Sequence, residues 1–192
     1  FVRAMTAAHV AEWALDSGEA ALRAGLAGKW RNRLVRGERA GLDLDETAFD
    51  PDRHGWLLAA EAAQARERGY GRLQGVLARA FAEANPGAAR LLTASRAGAP
   101  VAAILVLRHG PVATYQIGWS GPDGRAACAH HLLLWSAALA LSRDGVRRFD
   151  LGFVDTEGAP GLARFKIGTG ARVRPLGGSW LRLPGAGLVA PR

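Results

Sequence analysis

A lysine and an aspartate in the last third of the chain are the residues best suited to chemistry. Asp150 and Lys166 lie in the segment FDLGFVDTEGAPGLARFKIGTG, residues 149–170. Of 25 basic residues only Lys29 and Lys166 are lysines. A lysine kept in so arginine-rich a chain indicates a need for a compact ammonium rather than generic charge. The alternative is that Lys166 is a solvated surface residue. Spacing alone leaves both interpretations open.

Asp150 is the second candidate because its neighbours in the chain are apolar. Phe149, Leu151 and Phe153 surround it, which predicts poor solvation of the carboxylate. Burial would raise the pKa of this carboxyl group, whereas a nearby cation would lower it. Such a group suits the orientation or deprotonation of an incoming amine. Structural pairing with an arginine explains the residue equally well.

The hydrophobic pattern predicts the elements that hold these two residues. A short buried strand over residues 148–154 carries Asp150, and one or two helical turns carry Phe165 and Lys166. Residues 171–183 form one or two further strands with a bend at the glycines.

The middle of the chain predicts a β-meander followed by a buried helix. Strands over 89–96, 100–108 and 111–120 are separated by tight glycine turns, which favours antiparallel pairing. The helix over 126–143 is apolar around its whole circumference, so we expect it to be the most buried helix. The residues expected in the core are Leu132, Leu133, Trp135 and Leu139.

The first part of the chain predicts two strands and three helices. A strand over 10–16 precedes a basic amphipathic helix over 19–40, an alternating strand pattern covers 42–49, and helices over 51–68 and 70–85 follow. Lys29 and Arg31 lie on the polar side of the first helix, where they would face phosphate, nucleic acid, a membrane surface or only solvent.

The loop between the last meander strand and the buried helix follows the order strand, glycine-containing loop and helix, which is the order found at anion-binding sites. Backbone N–H groups at a helix N-terminus attract phosphate, and Gly124 and Arg125 are placed for this. Pro122 removes one donor and Asp123 repels phosphate, so the site is weakened.

Three segments in order resemble the C-terminal domain of the Fem (FemABX-like) peptidyltransferases, which have the GNAT acyltransferase fold. They are KWRNRLVRGERAGL (29–42), ATYQIGWSGPDGRAACAHHLLLW (113–135), and FDLG followed by GLARFKIGTGARV (149–173). The resemblance implies an α/β (α+β) domain with a GNAT-like mixed, mostly antiparallel sheet flanked by helices. On this basis residues 20–183 form the domain, 1–19 a lead-in strand from a missing or preceding N-terminal half, and 184–192 a flexible tail.

The resemblance also implies an activity. The expected enzyme transfers an acyl or aminoacyl group to an acceptor amine, and a cell-wall (peptidoglycan) precursor is one candidate acceptor. Its donor is aminoacyl-tRNA or acyl-CoA, with no tightly bound cofactor and no metal. The implied catalytic residues are Lys166 and Asp150. The implied substrate contacts are Arg66, Tyr70, Lys29, Arg31, Tyr115 and Phe165, and the implied cofactor contacts are Gly124 and Arg125. The alternatives are a coenzyme-A-dependent N-acyltransferase and a non-catalytic nucleic-acid-binding or scaffold module.

The composition indicates which class of partner and which cellular compartment to expect. The net charge of +8 favours an anionic partner, such as a phosphate-bearing donor or acceptor, tRNA or a membrane surface. Cys128 is the single cysteine, which predicts a reducing, cytoplasmic compartment. Its apolar neighbours predict that it packs in the core.

Side chains of adjacent helical residues point about 100° apart, so at most one of His130 and His131 is expected to face a cleft.

Overall fold

The computed structural model describes residues 2–69 and 73–181. The strands are β1 (Val2–Met5), β2 (His9–Ala14), β3 (Asp43–Ala48), β4 (Ala89–Arg96), β5 (Ala99–His109), β6 (Val112–Ser120), β7 (Arg148–Phe153), β8 (Arg172–Pro175) and β9 (Ser179–Leu181). The helices are α1 (Glu19–Gly25), α2 (Gly28–Glu38), α3 (Gly55–Arg68), α4 (Leu73–Ala84), α5 (Pro122–Ala126), α6 (Ala129–Arg143) and α7 (Pro160–Ile167).

Seven strands form one sheet in the order β3-β4-β5-β6-β7-β2-β8. All neighbours are antiparallel except β6 and β7, which are parallel. β1 and β9 form a separate antiparallel pair. The expected mixed, mostly antiparallel sheet is therefore confirmed, and so is the meander of β4, β5 and β6. β2, from the segment predicted to lead into the domain, is an interior strand between β7 and β8.

The parallel strands β6 and β7 pair only where both begin. Their ladder extends from Val112 opposite Arg148 to Thr114 opposite Asp150. β6 continues to Ser120 without β7 as a partner, so the two strands part along the rest of their length.

A β-bulge in β6 changes which face its side chains point to. Tyr115 lies opposite Val106 and Ile117 lies opposite Leu105, which leaves Gln116 as the extra residue. Tyr115 consequently packs against the core on one face of the sheet, whereas Ile117 packs on the other.

The sheet separates two clusters of buried side chains. One cluster joins the sheet to α1, α2 and α6 and includes Trp30, Leu133 and Phe149. The other joins the sheet to α3 and α4 and includes Leu57 and Ala78. The result is three layers, with helices on both faces of the sheet.

Helix α6 is as buried as its sequence predicts. Leu132, Leu133 and Trp135 are buried, and the partly buried Leu139 packs against the same cluster. Neither α6 nor any other helix within the described ranges is both long and apolar enough to cross a bilayer.

The single helix predicted over residues 19–40 is wrong, because two helices occupy this stretch. Leu26 and Ala27 have extended backbones between α1 and α2. The side chain of Leu26 is buried, and the Ala27 N–H donates a 2.9 Å hydrogen bond to the Gly168 carbonyl. Burial of Leu26 and this bond to the segment after α7 compensate for the interrupted helix.

Two other helix starts also differ from the prediction. The helix predicted over 126–143 begins at Ala129 as α6, because Cys128, whose φ is 55°, interrupts the chain before it, and the residues predicted as a loop form the short helix α5. Helix α3 begins at Gly55 rather than near Pro51. The preceding turn is held by Asp50, whose carboxylate accepts hydrogen bonds from the Asp52 and Arg53 N–H groups.

Candidate functional site

A cavity of about 490 Å³ lies beside the part of β6 that has left β7. Its wall comes from β6, from the α5–α6 junction, from one face of α2, and from α7, the helix that follows β7. The lining residues are Arg33, Arg36, Gln64, Tyr115, Gly118, Ser120, Gly124, Arg125, Cys128, His130, His131, Leu162 and Phe165. The opening between two parted strands is thus closed by helices into a single concave site.

A hydrogen-bonded pair of side chains forms one wall of the cavity. The Tyr115 Oη and His130 Nε2 atoms are 2.7 Å apart, and the two rings meet edge to face. Both side chains lie over Gly118, where an added Cβ would be 1.7 Å from Tyr115 Oη and 2.8 Å from His130 Cε1. Only glycine therefore leaves room for this pair.

Phe165 connects the cavity to the core through aromatic contacts. Its ring centroid is 5.4 Å from that of His130 and 5.0 Å from that of His131. Trp30 stacks against Phe165, and its indole N–H donates a 3.0 Å hydrogen bond to the Phe165 carbonyl. These contacts fix α7, and with it Lys166, against α2 and α6.

Burial keeps both histidines neutral at neutral pH. It lowers the pKa of His130 to about 4. It also lowers the pKa of His131 to about 4, with smaller contributions from the charges of Arg33 and His130. His131 is 9% exposed, and within the described part of the chain neither of its ring nitrogens has a hydrogen-bond partner.

Lys166 is a buried residue, so its interpretation as a solvated surface lysine is wrong. It is 6% exposed, and its Nζ donates a 2.8 Å hydrogen bond to the Phe153 carbonyl at the end of β7. Burial lowers the pKa of Lys166 to about 8, and the charge of Asp150 opposes this shift. Lys166 does not line the cavity, but its neighbour Phe165 does.

Asp150 is half-buried on β7 and shapes the end of that strand. Its Oδ1 accepts a 2.7 Å hydrogen bond from the Gly152 N–H. Gly152 has a φ of 77°, a conformation that favours glycine, and its Cα faces the Lys166 ammonium closely enough that a Cβ would be 3.5 Å from Nζ. The structure thus brings Asp150 and Lys166 to the same end of β7.

Four of the residues predicted from the sequence come together at the cavity: Tyr115, Phe165, Gly124 and Arg125. Gly124 packs so closely on β5 that a Cβ would be 2.2 Å from the Val101 carbonyl oxygen. The Arg125 guanidinium donates a hydrogen bond to the Ser120 carbonyl, which ties the short helix α5 back to β6.

Three other predicted residues lie away from the cavity lining. Lys29 is exposed in the first turn of α2. The Arg31 guanidinium donates hydrogen bonds to the Ala24 and Leu26 carbonyls, which caps the end of α1. Arg66 is exposed on α3, and its Nε donates to the Ala62 carbonyl of the same helix. Tyr70 lies outside the described residues.

Several residues of the site were not predicted from the sequence. Arg33 and Arg36 are one helical turn apart on α2 and both line the cavity. Their spacing of three residues was the available signal, since such residues share a helix face. The expectation that at most one histidine faces a cleft is wrong, because both His130 and His131 line the cavity. Cys128 also reaches the lining and is half-buried rather than part of the core.

The electrostatic character of the cavity is positive. Arg33, Arg36 and Arg125 contribute guanidinium groups, and no described residue of the lining carries a carboxylate. A second hollow of about 540 Å³ adjoins the cavity, since Arg36 lines both, and it adds Arg39 and Arg96. In residues 2–69 and 73–181 no three histidine, cysteine or acidic side chains are grouped so that they could hold a metal ion. The arrangement therefore suits an anionic ligand.

Comparison with protein families identifies the domain. The sequence model of the acetyltransferase (GNAT) domain family matches residues 28–166, from the start of α2 to Lys166. The chain belongs to the GNAT family. No curated protein matches this GNAT domain significantly in sequence.

Solved structures show the same fold. The GNAT domain is similar to FemX, with a TM-score of 0.70 and 11% identity over 86% of this chain and 59% of FemX. It is also similar to the C-terminal domain of a putative lysylphosphatidylglycerol synthetase from Agrobacterium fabrum, with a TM-score of 0.59 and 17% identity over 88% and 58% of the two chains. L-PGS from Bacillus licheniformis gives a TM-score of 0.56 and 15% identity over 88% and 58%. The chain spans less than two thirds of each of these proteins, and its fold is FemABX-like.

Proposed function

We propose that this GNAT domain transfers an acyl or aminoacyl group from an activated donor to an acceptor amine, with formation of an amide bond. The observation that carries the proposal is the positive cavity between the parted strands β6 and β7, in a domain of the acetyltransferase family. Structural similarity to FemX and to L-PGS supports the same class of reaction. The acceptor we favour is a cell-wall precursor amine.

Lys166 is the proposed stabiliser of the oxyanion that forms when the amine attacks the donor carbonyl. An ammonium has three N–H donors, and one of them is used by the Phe153 carbonyl. With a pKa of about 8, Lys166 is predominantly protonated at neutral pH. Its position directly after Phe165 places it behind the cavity wall, within the same short helix.

Asp150 is proposed to act on Lys166 and on the incoming amine. Its negative charge raises the pKa of Lys166 against the effect of burial. Because Asp150 is only half-buried, its second carboxylate oxygen is proposed to orient or deprotonate an amine at the end of β7.

The arginines support a donor or acceptor that carries phosphate. Arg33 and Arg36 reach the cavity, and Arg39 and Arg96 extend the positive surface into the adjoining hollow. This favours Arg33 and Arg36 for the contact that the resemblance implied for Lys29, Arg31 and Arg66. Aminoacyl-tRNA and acyl-CoA both supply such phosphates, and a further N-terminal domain and an anionic membrane surface are proposed partners.

A coenzyme-A-dependent N-acyltransferase is the second candidate. The observation that favours it is the placement of Gly124 and Arg125, in the short helix α5, in the lining of the cavity. This junction is where the sequence order predicted an anion site, although Pro122 occupies the first turn of the helix.

The test is to supply the purified chain with acetyl-CoA or alanyl-tRNA, together with a panel of amines, and to detect amide products by mass spectrometry. Turnover with alanyl-tRNA alone supports the aminoacyl transfer, and turnover with acetyl-CoA alone supports the second candidate. Arg143→Gln serves as a charge control, because Arg143 is exposed at the end of α6 and away from the cavity lining. Binding of tRNA with steep salt dependence and no turnover with either donor would instead make the domain a non-catalytic binding module.

A further inference from the structure

The two edges of the seven-stranded sheet carry opposite charges. β3 forms one edge and β8 the other, and among the described residues each pairs with a single neighbour, β4 or β2. β3 is rich in acidic side chains and β8 in arginines. An edge strand presents backbone N–H and C=O groups that can pair with a strand of another chain. We propose that β3 of one copy of this chain pairs with β8 of a second copy, so that the sheet continues from one domain into the next.

The directions of the two edge strands permit this pairing. Five of the six neighbouring pairs between β3 and β8 are antiparallel and one is parallel, so β3 and β8 run in opposite directions. A second copy that continues the sheet in the same orientation therefore presents its β3 antiparallel to β8 of the first copy. Antiparallel strands exchange backbone hydrogen bonds directly across the pair.

The exposed apolar residue of each edge lies on the same face of the sheet. Leu44 on β3 is opposite Ala94, and Val173 on β8 is opposite Ala11. Both alanines belong to the cluster that packs against α1, α2 and α6. Leu44 is 44% exposed and Val173 is 38% exposed. In a continued sheet the two side chains can meet across the new strand pair and cover each other.

The charged side chains next to Leu44 and Val173 lie on the opposite face, because strand side chains alternate. The edge acids are Asp43 and Asp45, and the edge arginines are Arg172 and Arg174. When Leu44 is opposite Val173 in an antiparallel pair, each edge acid is opposite one edge arginine. Opposite charges in such cross-strand positions stabilise a pair of strands. A single register thus joins two ion pairs on one face to an apolar contact on the other.

The charges at the two edges are only partly used within one copy. In the described part of the chain, neither edge acid has a hydrogen bond or an ion pair, and neither has Arg172. Arg174 donates a 2.9 Å hydrogen bond to Glu12. The acidic groups near the edge arginines, Glu12 and Asp150, lie on the inner strands β2 and β7, so the outermost row of this edge is basic.

The same charges disfavour the pairing of like edges. If two copies of β3 paired antiparallel with Leu44 opposite Leu44, the edge acids would lie opposite each other. Two copies of β8 would likewise place the edge arginines opposite each other. Like charges in directly opposite positions destabilise a strand pair. The pairing is therefore head to tail, which leaves one edge of each kind at the ends of an assembly and lets it grow or close into a ring.

The affinity should be low and should depend on salt. The register aligns only three residue pairs, so the interface is smaller than that of a stable complex. Its ion pairs are exposed and are screened by salt. None of the six paired residues lines the cavity, so the assembly does not depend on the proposed transfer reaction.

The first measurement is sedimentation velocity of the full chain over a range of protein concentrations. At about 20 mM salt, the mean sedimentation coefficient should rise with protein concentration. At about 500 mM salt, the association should weaken at least about tenfold. A chain that stays monomeric at every concentration in low salt overturns the proposal.

Reversing the charges of one edge tests which strands meet. The variant with Asp43→Lys and Asp45→Lys has two basic edges, and the variant with Arg172→Glu and Arg174→Glu has two acidic edges. Each variant alone should stay monomeric in low salt, whereas an equimolar mixture should associate again, because every contact in it joins unlike edges. Association that both variants retain when alone, or a mixture that stays monomeric, would assign the contact to another surface.

Two further variants control this experiment. Glu67→Lys with Glu157→Lys makes the same change in net charge as the reversal of the edge acids, at exposed positions outside the two edge strands. Its association should stay within about threefold of wild type, since no cross-strand pair is altered. If loss of the Glu12 contact unfolds the variant with two acidic edges, as judged by its circular dichroism melt, the opposed single changes Asp45→Lys and Arg172→Glu replace the double ones.

A disulfide tests the register. In a Cys128→Ser background, Leu44→Cys mixed with Val173→Cys should form a mixed disulfide in low salt, and formation should slow about tenfold in high salt. Val76→Cys is the matched control, because Val76 is 67% exposed on α4 and lies outside both edges. A yield with Val76→Cys equal to that with Leu44→Cys would show random collision and would overturn the proposed pairing.

Discussion

The ammonium of Lys166 is held 2.8 Å from the carbonyl oxygen of Phe153, where β7 ends. The bond ties α7 to the strand that parts from β6, so the lysine is fixed relative to the cavity opening. A buried, partly desolvated cation next to a cavity stabilises a developing negative charge more strongly than a cation in water does.

Replacing Lys166 tests its two roles separately. Lys166→Ala should lower kcat by about 10²–10³, the loss seen when one oxyanion donor is removed. Because the residue is buried, the same change should also lower the free energy of unfolding by about 1–3 kcal/mol, through the lost hydrogen bond and the vacated space. Lys166→Met keeps much of the volume, so it should be equally inactive and lose less stability in urea denaturation. Full activity in either variant would remove Lys166 from the mechanism.

The alkaline limb of the pH profile of kcat/KM should follow the deprotonation of the Lys166 ammonium. Lys166 has a pKa lowered to about 8, so kcat/KM should fall as the pH rises through about 8 and the charge is lost. Lys166→Arg keeps its charge throughout this range. Its residual activity should therefore show no such limb between about pH 7 and 9.5.

Asp150→Asn should move that limb to lower pH. The negative charge of Asp150 raises the pKa of Lys166, so its removal lets burial lower the pKa further. Asparagine keeps an oxygen that can accept the Gly152 N–H, which preserves the end of β7. An unchanged midpoint in kcat/KM against pH would show that Asp150 does not act through Lys166.

The order of the elements and the buried helix α6 could be predicted because they depend on local hydrophobic pattern. Strand bounds within the meander agree with the pattern to one residue, since alternation and glycine turns are local signals. The division into α1 and α2 could not be predicted, because it depends on a bond from Ala27 to the distant Gly168. The site was predicted only in part, because it also depends on contacts between distant segments. All four of Phe165, Tyr115, His130 and Arg36 lay in recognisable segments. Whether His130 and Arg36 face the cavity, however, depends on how α6 and α2 pack.

The two histidines should make the domain sensitive to acid. Both have a pKa of about 4 in the folded state, below the usual value near 6.5. Between these values the unfolded chain binds more protons, so the free energy of unfolding falls as the pH drops from about 6.5 to 4. His131→Leu removes one of these groups and should flatten the fall of the melting temperature with decreasing pH. If the melting temperature of His131→Leu fell with decreasing pH as steeply as that of the wild type, the neutral, buried state of His131 would be contradicted.

Arg33 and Arg36 should set the affinity for a phosphate-bearing donor. The variant with both Arg33→Gln and Arg36→Gln is expected to raise the KM for the donor about tenfold, a loss of about 1.4 kcal/mol, and to weaken its dependence on salt. Arg143→Gln changes an exposed arginine away from the cavity and should have a KM close to wild type. If each lost charge raised the KM equally in the double variant and in Arg143→Gln, the arginines would act through the overall positive charge of the domain rather than by contact with the donor.

Gly118 is the residue whose replacement should disturb the Tyr115–His130 pair most directly. Its φ is not in the left-handed region, so alanine fits the backbone, and the conflict lies only in space. The new Cβ would be 1.7 Å from Tyr115 Oη and 2.8 Å from His130 Cε1, so the tyrosine ring must leave its place. Gly118→Ala is therefore expected to lose about 1–3 kcal/mol of stability, the usual cost of overpacking, as measured by urea denaturation.

A matched glycine and a double variant separate this clash from other effects of the substitution. Gly121, three residues along, would place an added Cβ at ordinary contact distances of 3.6 Å or more, so Gly121→Ala should melt close to wild type. Combining Gly118→Ala with Tyr115→Ala removes the clashing ring. The double variant should then be more stable than the sum of the two single losses predicts. Strict additivity in urea denaturation would mean that Tyr115 does not lie over Gly118 in solution.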